Sequence, residues 1–142
     1  MRDLVLIGGG HAHVHVLKQF GERPLRNARV TLVGRDVETP YSGMIPGFVA
    51  GRYSFEACHI DLAKLSARSG ARLVHAEATG IDRAQRRVLL MDQPAVPYDL
   101  LSIDVGSAPN VGAIAGAGQW AIPVKPIAEL GRRWLEFSER MK

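Results

Sequence analysis

Apolar runs of strand length recur along the chain and are separated by longer amphipathic segments. The runs occupy residues 3–7, 29–33, 72–76 and 100–104. Continuous apolar runs are typical of strands that are buried on both faces of a parallel sheet. We therefore predict an α/β fold with a parallel sheet, in which right-handed crossovers place helices on the sheet faces.

Other segments have the spacing of amphipathic helices. The first spans residues 11–20 and is expected to end at Gly21, because glycine and the nearby proline both disfavour a helix. The second spans residues 61–69 and is followed by Gly70, which is a common residue at helix ends. A last helix is predicted over residues 127–141. The first two helices lie between apolar runs, as the crossovers of a parallel sheet do.

Two further segments have local signatures. Residues 78–81 and 88–91 flank a polar turn at 83–86, and this pattern predicts a small antiparallel hairpin. Residues 44–49 are mainly apolar and lie within a loop rich in glycine and proline. We expect them to form a short, buried turn of helix.

A triple glycine connects the first apolar run to the first helix. Gly8 and Gly10 fit the first two places of the pattern G-x-G-x-x-G, and His13 stands at the third place. Glycines at such a turn let the backbone approach a diphosphate, whose charge then meets the N–H groups of the helix. The loop predicts a dinucleotide-binding unit, with diphosphate contacts from Gly8, Gly9, Gly10, His11, Ala12 and His13. We expect Gly8→Val or Gly10→Val to abolish dinucleotide binding in the complete protein while leaving it largely folded.

The end of the second apolar run is the place for a ribose contact. Dinucleotide-binding units commonly carry an Asp or Glu there, but this chain has Gly34, followed by Arg35 and Asp36. Two alternatives are open. Either Asp36 reaches back to the ribose hydroxyls, or backbone groups of this turn hold them.

The histidines after the glycines allow several interpretations. His11 and His15 are one helical turn apart, a spacing that metal ligands use, but no carboxylate or cysteine lies nearby in sequence to complete a site. We therefore predict no metal site. His13 either packs where the third glycine would lie, or His11 or His13 donates a hydrogen bond to a phosphate oxygen.

Composition places the chain among globular proteins of single-domain size. It has 142 residues, of which 46% are hydrophobic and 23% charged, and a formal charge of +4. Its arginines are scattered and lack interleaved aromatic residues, so we expect no nucleic-acid partner. No apolar run is long enough to span a membrane, and no secretory signal precedes the first strand. The single cysteine agrees with a reducing compartment, so we expect a cytoplasmic protein and leave peripheral membrane association open.

Longer motifs carry a family resemblance. Residues 98–107, YDLLSIDVGS, resemble the segment Y-D-x-L-x-x-A-T-G-S that returns the chain to the flavin domain in flavoproteins with two dinucleotide-binding domains. Residues 8–17, GGGHAHVHVL, and residues 39–47, TPYSGMIPG, are similar to a narrower group. These are the NADH-dehydrogenase-like flavoproteins found alone or fused to selenide, water dikinase, within the pyridine nucleotide-disulfide oxidoreductase superfamily.

The resemblance implies a Rossmann-like three-layer FAD/NAD(P)-binding fold with a parallel sheet and a small antiparallel β-hairpin or meander. Residues 1–125 then form the N-terminal portion of the FAD-binding domain. Residues 126–142 form a linking helix toward an NAD(P)H-binding domain that the chain lacks. The family's second glycine-rich unit and its late Gly-Asp motif are also absent, so we expect a fragment rather than a natural short protein.

The resemblance also implies cofactors and their contacts. FAD is the expected cofactor of this chain, and NAD(P)H is the expected reductant of the full-length protein. The loop that begins at Thr39 passes beside the flavin ring in the family, and proline and glycine let a backbone lie close to a flat ring. The contacts expected beyond the glycine loop are Gly34, Arg35, Asp36, Tyr41, Ser42, Gly43, Met44, Gly106 and Ser107.

The function expected from the resemblance is transfer of electrons from NAD(P)H through FAD to a small acceptor. Disulfide reductases of the superfamily use two cysteines, whereas Cys58 is alone and is expected to be a buried thiol. A quinone or another non-disulfide oxidant is therefore expected, and the pattern identifies no catalytic residue. The alternative is a non-catalytic NAD-binding Rossmann domain. A homodimer, and fusion or association with selenide, water dikinase, are open as assemblies.

Overall fold

The structure is a computed structural model that describes residues 1–141. Its contacts divide the chain into two compact units. The first unit comprises Met1–Thr39 and Ile60–Val105, and the second comprises Pro40–His59 and the residues from Gly106 onward. Each unit has a hydrophobic core of its own.

The described residues form nine strands and five α-helices. The strands are β1 (Arg2–Ile7), β2 (Ala28–Gly34), β3 (Glu38–Pro40), β4 (His59–Asp61), β5 (Arg72–His75), β6 (Ala78–Asp82), β7 (Arg87–Leu90), β8 (Gln93–Pro97) and β9 (Leu100–Ile103). The helices are α1 (His11–Glu22), α2 (Ile45–Val49), α3 (Leu62–Ser69), α4 (Ala117–Trp120) and α5 (Ile127–Arg140). Short 3₁₀ turns lie at Ser42–Met44, Glu56–Cys58 and Val111–Ala113.

A parallel sheet forms the centre of the first unit. Its four strands are arranged in the order β5-β2-β1-β9. Leu6 of β1 lies opposite Leu32 of β2 and Ser102 of β9, and every pairing in this sheet is parallel. The four apolar runs were predicted as these strands, and both their positions and their parallel direction are confirmed.

The two faces of this sheet bury different residues because successive side chains along a strand point to opposite sides. Val5 and Ile7 of β1 pack with Val33, Val74 and residues of β6–β8. Leu6 of β1 packs on the opposite face with residues of α1 and α3. The first unit is therefore a three-layer α/β structure of the Rossmann-like type, with helices on one face and an antiparallel sheet on the other.

Helix α1 continues past the glycine that was expected to end it. The helix runs to Glu22, so the predicted end at Phe20 was wrong. A Cβ built at Gly21 would lie 3.3 Å from the carbonyl oxygen of Arg68 at the end of α3. Gly21 therefore permits close packing between α1 and α3. In the sequence alone, a glycine that serves packing looks the same as a glycine that ends a helix.

Helix α3 has both ends fixed by neighbouring residues. The Asp61 carboxylate accepts a hydrogen bond from the backbone N–H of Lys64 at 2.8 Å. This bond, together with the Lys64 side chain, holds the pKa of Asp61 below its ordinary value. Gly70 ends the helix at φ +68°, in the left-handed region that glycine adopts readily.

The predicted hairpin is present as β6 and β7, but a third strand extends it. Strands β6, β7 and β8 form an antiparallel meander in that order. Strand β8 has the sequence QPAVP, and two prolines in five residues argue against a strand in a sequence pattern. Its position at the edge of the meander explains the tolerance, since an edge strand leaves one side without ladder hydrogen bonds.

The second unit is built on a small core of its own. Ile45 and Phe48 of α2 are buried together with Cys58. Side chains of α5, including Leu130 and Trp134, pack against these residues. The predicted helical turn near residues 44–49, the last helix and the burial of Cys58 are all confirmed.

Candidate dinucleotide site at the glycine loop

The glycine loop lies at the carboxyl end of the parallel sheet. Strand β1 ends at Ile7, and the N–H of Gly8 donates to the carbonyl oxygen of Val33 at 2.8 Å. The N–H of Gly10 donates to the carbonyl oxygen of Asp104 at 3.2 Å. The loop is thus tied to the ends of β2 and β9 before α1 begins. Ligands of open α/β sheets bind at this end of the strands.

The glycines of the loop are required by the protein itself. Gly8 has φ +93°, and a Cβ built there would overlap the carbonyl group of Asp104. A Cβ at Gly9 would overlap the side chain of Leu62, and one at Gly10 would overlap the carboxylate of Asp104. The clash at Gly8 is with backbone and therefore strains Gly8→Val, and the expectation that this variant is largely folded stays a prediction. At Gly10 the obstructing group is a side chain, which can move.

A carboxylate lies at the N-terminus of α1. Oδ2 of Asp104 accepts hydrogen bonds from the backbone N–H of Ala12 at 3.0 Å and of His13 at 3.4 Å. Helix α1 has no capping side chain at Gly10 and no acidic residue in its first turn. Asp104 therefore supplies the negative charge that favours this end of a helix. The sequence offered one signal for it, a first turn without any capping residue of its own.

His13 is buried and hydrogen-bonded at both ring nitrogens. Only 2% of the residue is exposed. Nδ1 lies 2.7 Å from the carbonyl oxygen of Gly8, which can only accept, so Nδ1–H is the donor. Nε2 lies 2.9 Å from Oγ of Ser102 on β9. The imidazole packs at the place of the third glycine and connects the loop to β9, whereas His11 and Ala12 are exposed at the start of α1.

The turn after β2 has a fixed backbone and exposed charged side chains. Gly34 is buried, and its carbonyl oxygen accepts from the N–H of Ala76 at 3.0 Å. Nε2 of His75 donates to the carbonyl oxygen of Arg35 at 2.8 Å. Arg35 and Asp36 form an ion pair with an Nε–Oδ2 distance of 3.4 Å, and about half of each side chain is exposed. Asp36 is thus an accessible carboxylate at the end of β2.

The remaining predicted contacts belong to the second unit. The N–H of Tyr41 donates to Cys58 at 2.7 Å, and the N–H of Met44 donates to Tyr41 at 2.9 Å, both to carbonyl oxygens. These bonds hold the turn of Ser42 and Gly43 in front of α2. Further along the chain, Gly106 has φ +77°, and Oγ of Ser107 accepts from Nζ of Lys125 at 2.9 Å. Tyr41 is exposed, whereas Ser42 and Met44 are partly buried.

Within residues 1–141, no group of His, Cys, Asp and Glu side chains is placed to hold a metal ion. No helix among these residues is long and apolar enough to cross a membrane.

Comparisons with known proteins identify similar folds. No family model matches the chain, and no curated protein matches it. The chain is similar to the sulfide:quinone oxidoreductase of Aquifex aeolicus, with 21% identity over 84% of this chain and a TM-score of 0.71. It is also similar to NDH2 of Plasmodium falciparum, solved in complex with NADH, with 17% identity over 99% of this chain and a TM-score of 0.74. A water-forming NADH oxidase of Lactobacillus brevis matches 77% of this chain at 23% identity, with a TM-score of 0.62.

These similar structures are much longer than this chain. The chain covers 27% of the sulfide:quinone oxidoreductase, 30% of NDH2 and 26% of the NADH oxidase. All three share the α/β fold described above. The chain therefore has a Rossmann-like fold that it shares with these proteins over part of their length.

Proposed function

We propose that this chain is the FAD-binding portion of an NAD(P)H-dependent flavoprotein oxidoreductase that passes electrons to a quinone or another small, non-disulfide acceptor. The observation that carries the proposal is the glycine loop between β1 and α1, at the carboxyl end of a parallel sheet. The backbone of the loop lies so close to the carboxylate of Asp104 that a Cβ at Gly10 would overlap it. An anion at that place fits the diphosphate of a dinucleotide in charge and position.

Different segments of the chain are proposed to bind different parts of the cofactor. Gly8–His13 are proposed to hold the diphosphate at the N-terminus of α1, and Gly34–Asp36 are proposed to hold the adenosine ribose, with Asp36 as the acceptor for its hydroxyls. The flavin half of the cofactor is assigned to Tyr41–Met44 and to Gly106 and Ser107. FAD supplies the redox chemistry, accepting electrons from NAD(P)H and passing them on, while the protein supplies binding and orientation.

The burial of Cys58 supports a non-disulfide electron acceptor. Cys58 is the single cysteine of the chain and is only 1% exposed, with Sγ 3.9 Å from the carbonyl oxygen of Met44. A dithiol relay needs a second sulfur and access for exchange. A small oxidant such as a quinone needs neither, and one of the similar solved structures is a sulfide:quinone oxidoreductase.

The domain boundaries follow from the same proposal. Residues 1–125 are assigned to the FAD-binding domain and residues 126–142 to a helix that leads to an NAD(P)H-binding domain. Helix α5, Ile127–Arg140, supports the second assignment. Fusion or association with selenide, water dikinase, and a homodimer belong to the same proposal. A cytoplasmic location is proposed from the single cysteine, which agrees with a reducing compartment.

The test is made on the product of the complete reading frame. We expect the purified protein to be yellow with bound FAD, to lose its flavin absorption with NAD(P)H and to regain it with a soluble quinone. The Asp36→Ala variant should weaken FAD binding, because it removes the proposed ribose contact. It should leave the thermal unfolding midpoint unchanged, because Asp36 is exposed. A colourless protein that binds NAD would instead support the non-catalytic dinucleotide-binding domain.

A further inference from the structure

Asp104 holds the backbone groups that a diphosphate would use. A helix N-terminus presents N–H groups without intrahelical partners, and these bind anions. In α1, the N–H groups of Ala12 and His13 already donate to Oδ2 of Asp104. The carboxylate lies so close to the loop that a Cβ at Gly10 would overlap it. The anion position of the glycine loop is therefore filled by a side chain of the protein.

The side chain of Asp104 can leave this position without movement of the backbone. The N–H of Asp104 donates to the carbonyl oxygen of Ile7 at 2.8 Å, and its carbonyl oxygen accepts from Gly10 at 3.2 Å. Both bonds are made by main-chain atoms, so they survive a rotation about the Cα–Cβ bond. The residue is also partly exposed, which leaves space for the carboxylate to turn toward solvent.

A carboxylate and a diphosphate cannot share these N–H groups. Like charges a few ångströms apart repel strongly in a partly buried setting, and each N–H group donates one good hydrogen bond. Binding of a dinucleotide at the loop thus requires that Asp104 give up its bonds to Ala12 and His13. The loss of these bonds and the remaining repulsion both subtract from the affinity.

We propose that Asp104 is an internal anion that competes with the diphosphate of a dinucleotide for the N-terminus of α1 and thereby lowers its affinity. This inference rests on the proposed function, because it takes the glycine loop as the diphosphate site. The Asp104 side chain caps α1 when the site is free, and it rotates away from the helix N-terminus when the diphosphate binds.

The test compares affinities for ligands with and without the diphosphate. ADP-ribose contains the adenosine diphosphate part of FAD, and adenosine lacks both phosphates. Each is titrated into the 142-residue chain and followed by the ¹⁵N–¹H signals of the backbone, which report weak binding well. Asp104→Ala removes the carboxylate, and Asp104→Asn keeps an oxygen acceptor but removes the charge. Asp99→Asn is the matched control, because Asp99 also accepts from a backbone N–H, that of Asp3, at 2.7 Å.

Asp104→Ala should bind ADP-ribose about tenfold more tightly than the unaltered chain, and Asp104→Asn should gain by a smaller factor. Affinity for adenosine should be unchanged in every variant, and Asp99→Asn should match the unaltered chain with both ligands. In Asp104→Ala the signals of Ala12 and His13 should shift when ADP-ribose is added. A merely structural cap would not give a gain that depends on the phosphates.

Two results overturn the inference, and they are distinguishable. Equal or weaker binding of ADP-ribose by Asp104→Ala, with the variant folded by its thermal transition, shows that Asp104 does not compete with the diphosphate. The proposed function survives that result. If no variant binds ADP-ribose or FAD, the glycine loop is not a dinucleotide site, and both the proposed function and this inference fail.

Discussion

Helices α1 and α3 pack on the same face of the sheet, yet their N-termini are stabilised in different ways. Asp61 caps α3 from the residue just before the helix, three positions from the N–H that it accepts. Asp104 caps α1 from the residue after β9, the strand next to β1, and lies 92 positions from Ala12. A local cap belongs to its helix and serves stability alone. We infer that the cap supplied by Asp104 is exchanged for a ligand at the glycine loop.

The largest effect is expected at the glycine that brings the distant cap close to α1. Gly8→Ala should lower the free energy of unfolding by more than about 3 kcal/mol, because it combines a positive φ with a backbone clash. Gly70→Ala is the matched control at the end of α3, since Gly70 has φ +68° but nothing within 4 Å of an added Cβ. That variant should lose about 1 kcal/mol. Urea unfolding measures both, and equal losses would contradict the role assigned to Gly8.

The second effect concerns the residue that connects the loop to β9. His13→Ala should cost about 2–3 kcal/mol, because it leaves a cavity and removes the hydrogen bonds to Gly8 and Ser102. Ser102→Ala removes only one partner of the imidazole and should cost about 1 kcal/mol. A thermal unfolding series gives the two values. If Ser102→Ala were as damaging as His13→Ala, the connection to β9 would dominate over the packing of the ring.

The third effect compares the two caps directly. Asp61→Ala and Asp104→Ala should each reduce the free energy of unfolding by about 1 kcal/mol, which is typical of a lost helix cap. Only Asp104→Ala should change the affinity for ADP-ribose. Calorimetric titration of both variants with ADP-ribose measures the two affinities. A changed affinity in Asp61→Ala would contradict the distinction between the local and the distant cap.

The smallest effect is the acid dependence of the local cap. Hydrogen bonds from Lys64 lower the pKa of Asp61, and the hydrogen bond from Arg29 lowers the pKa of Asp3. A lowered pKa adds stability that is complete above the ordinary value of 3.8 and is lost as the pH falls through the lower value of the folded state. Urea midpoints should therefore fall in strong acid, and Asp61→Asn should fall less. Parallel curves for the two proteins would contradict this.

The sequence was sufficient wherever the determining contacts are local or periodic. The apolar runs predicted β1, β2, β5 and β9, and the triple glycine placed a turn with a glycine at positive φ between β1 and α1. The helix that ends at Gly70 was predicted because its C-terminal signal lies next to it in the chain.

What the sequence could not predict depends on partners that are distant along the chain. Gly21 looks like a stop signal until Arg68 is seen beside it, and β8 looks like a loop until it is seen at an edge. In the candidate site, the pattern predicted the backbone of the loop. The partners of His13 and the carboxylate of Asp104 come from β9 and the residue just after it, and no spacing rule connects them to the glycines.

The distance between α1 and its cap has a consequence for synthesis on the ribosome. Chains emerge from the N-terminus and fold as their segments become available. Asp104 leaves the ribosome 92 residues after Ala12, so α1 has no carboxylate at its N-terminus during most of the synthesis of the first unit. The glycine loop is therefore made well before the carboxylate that completes it.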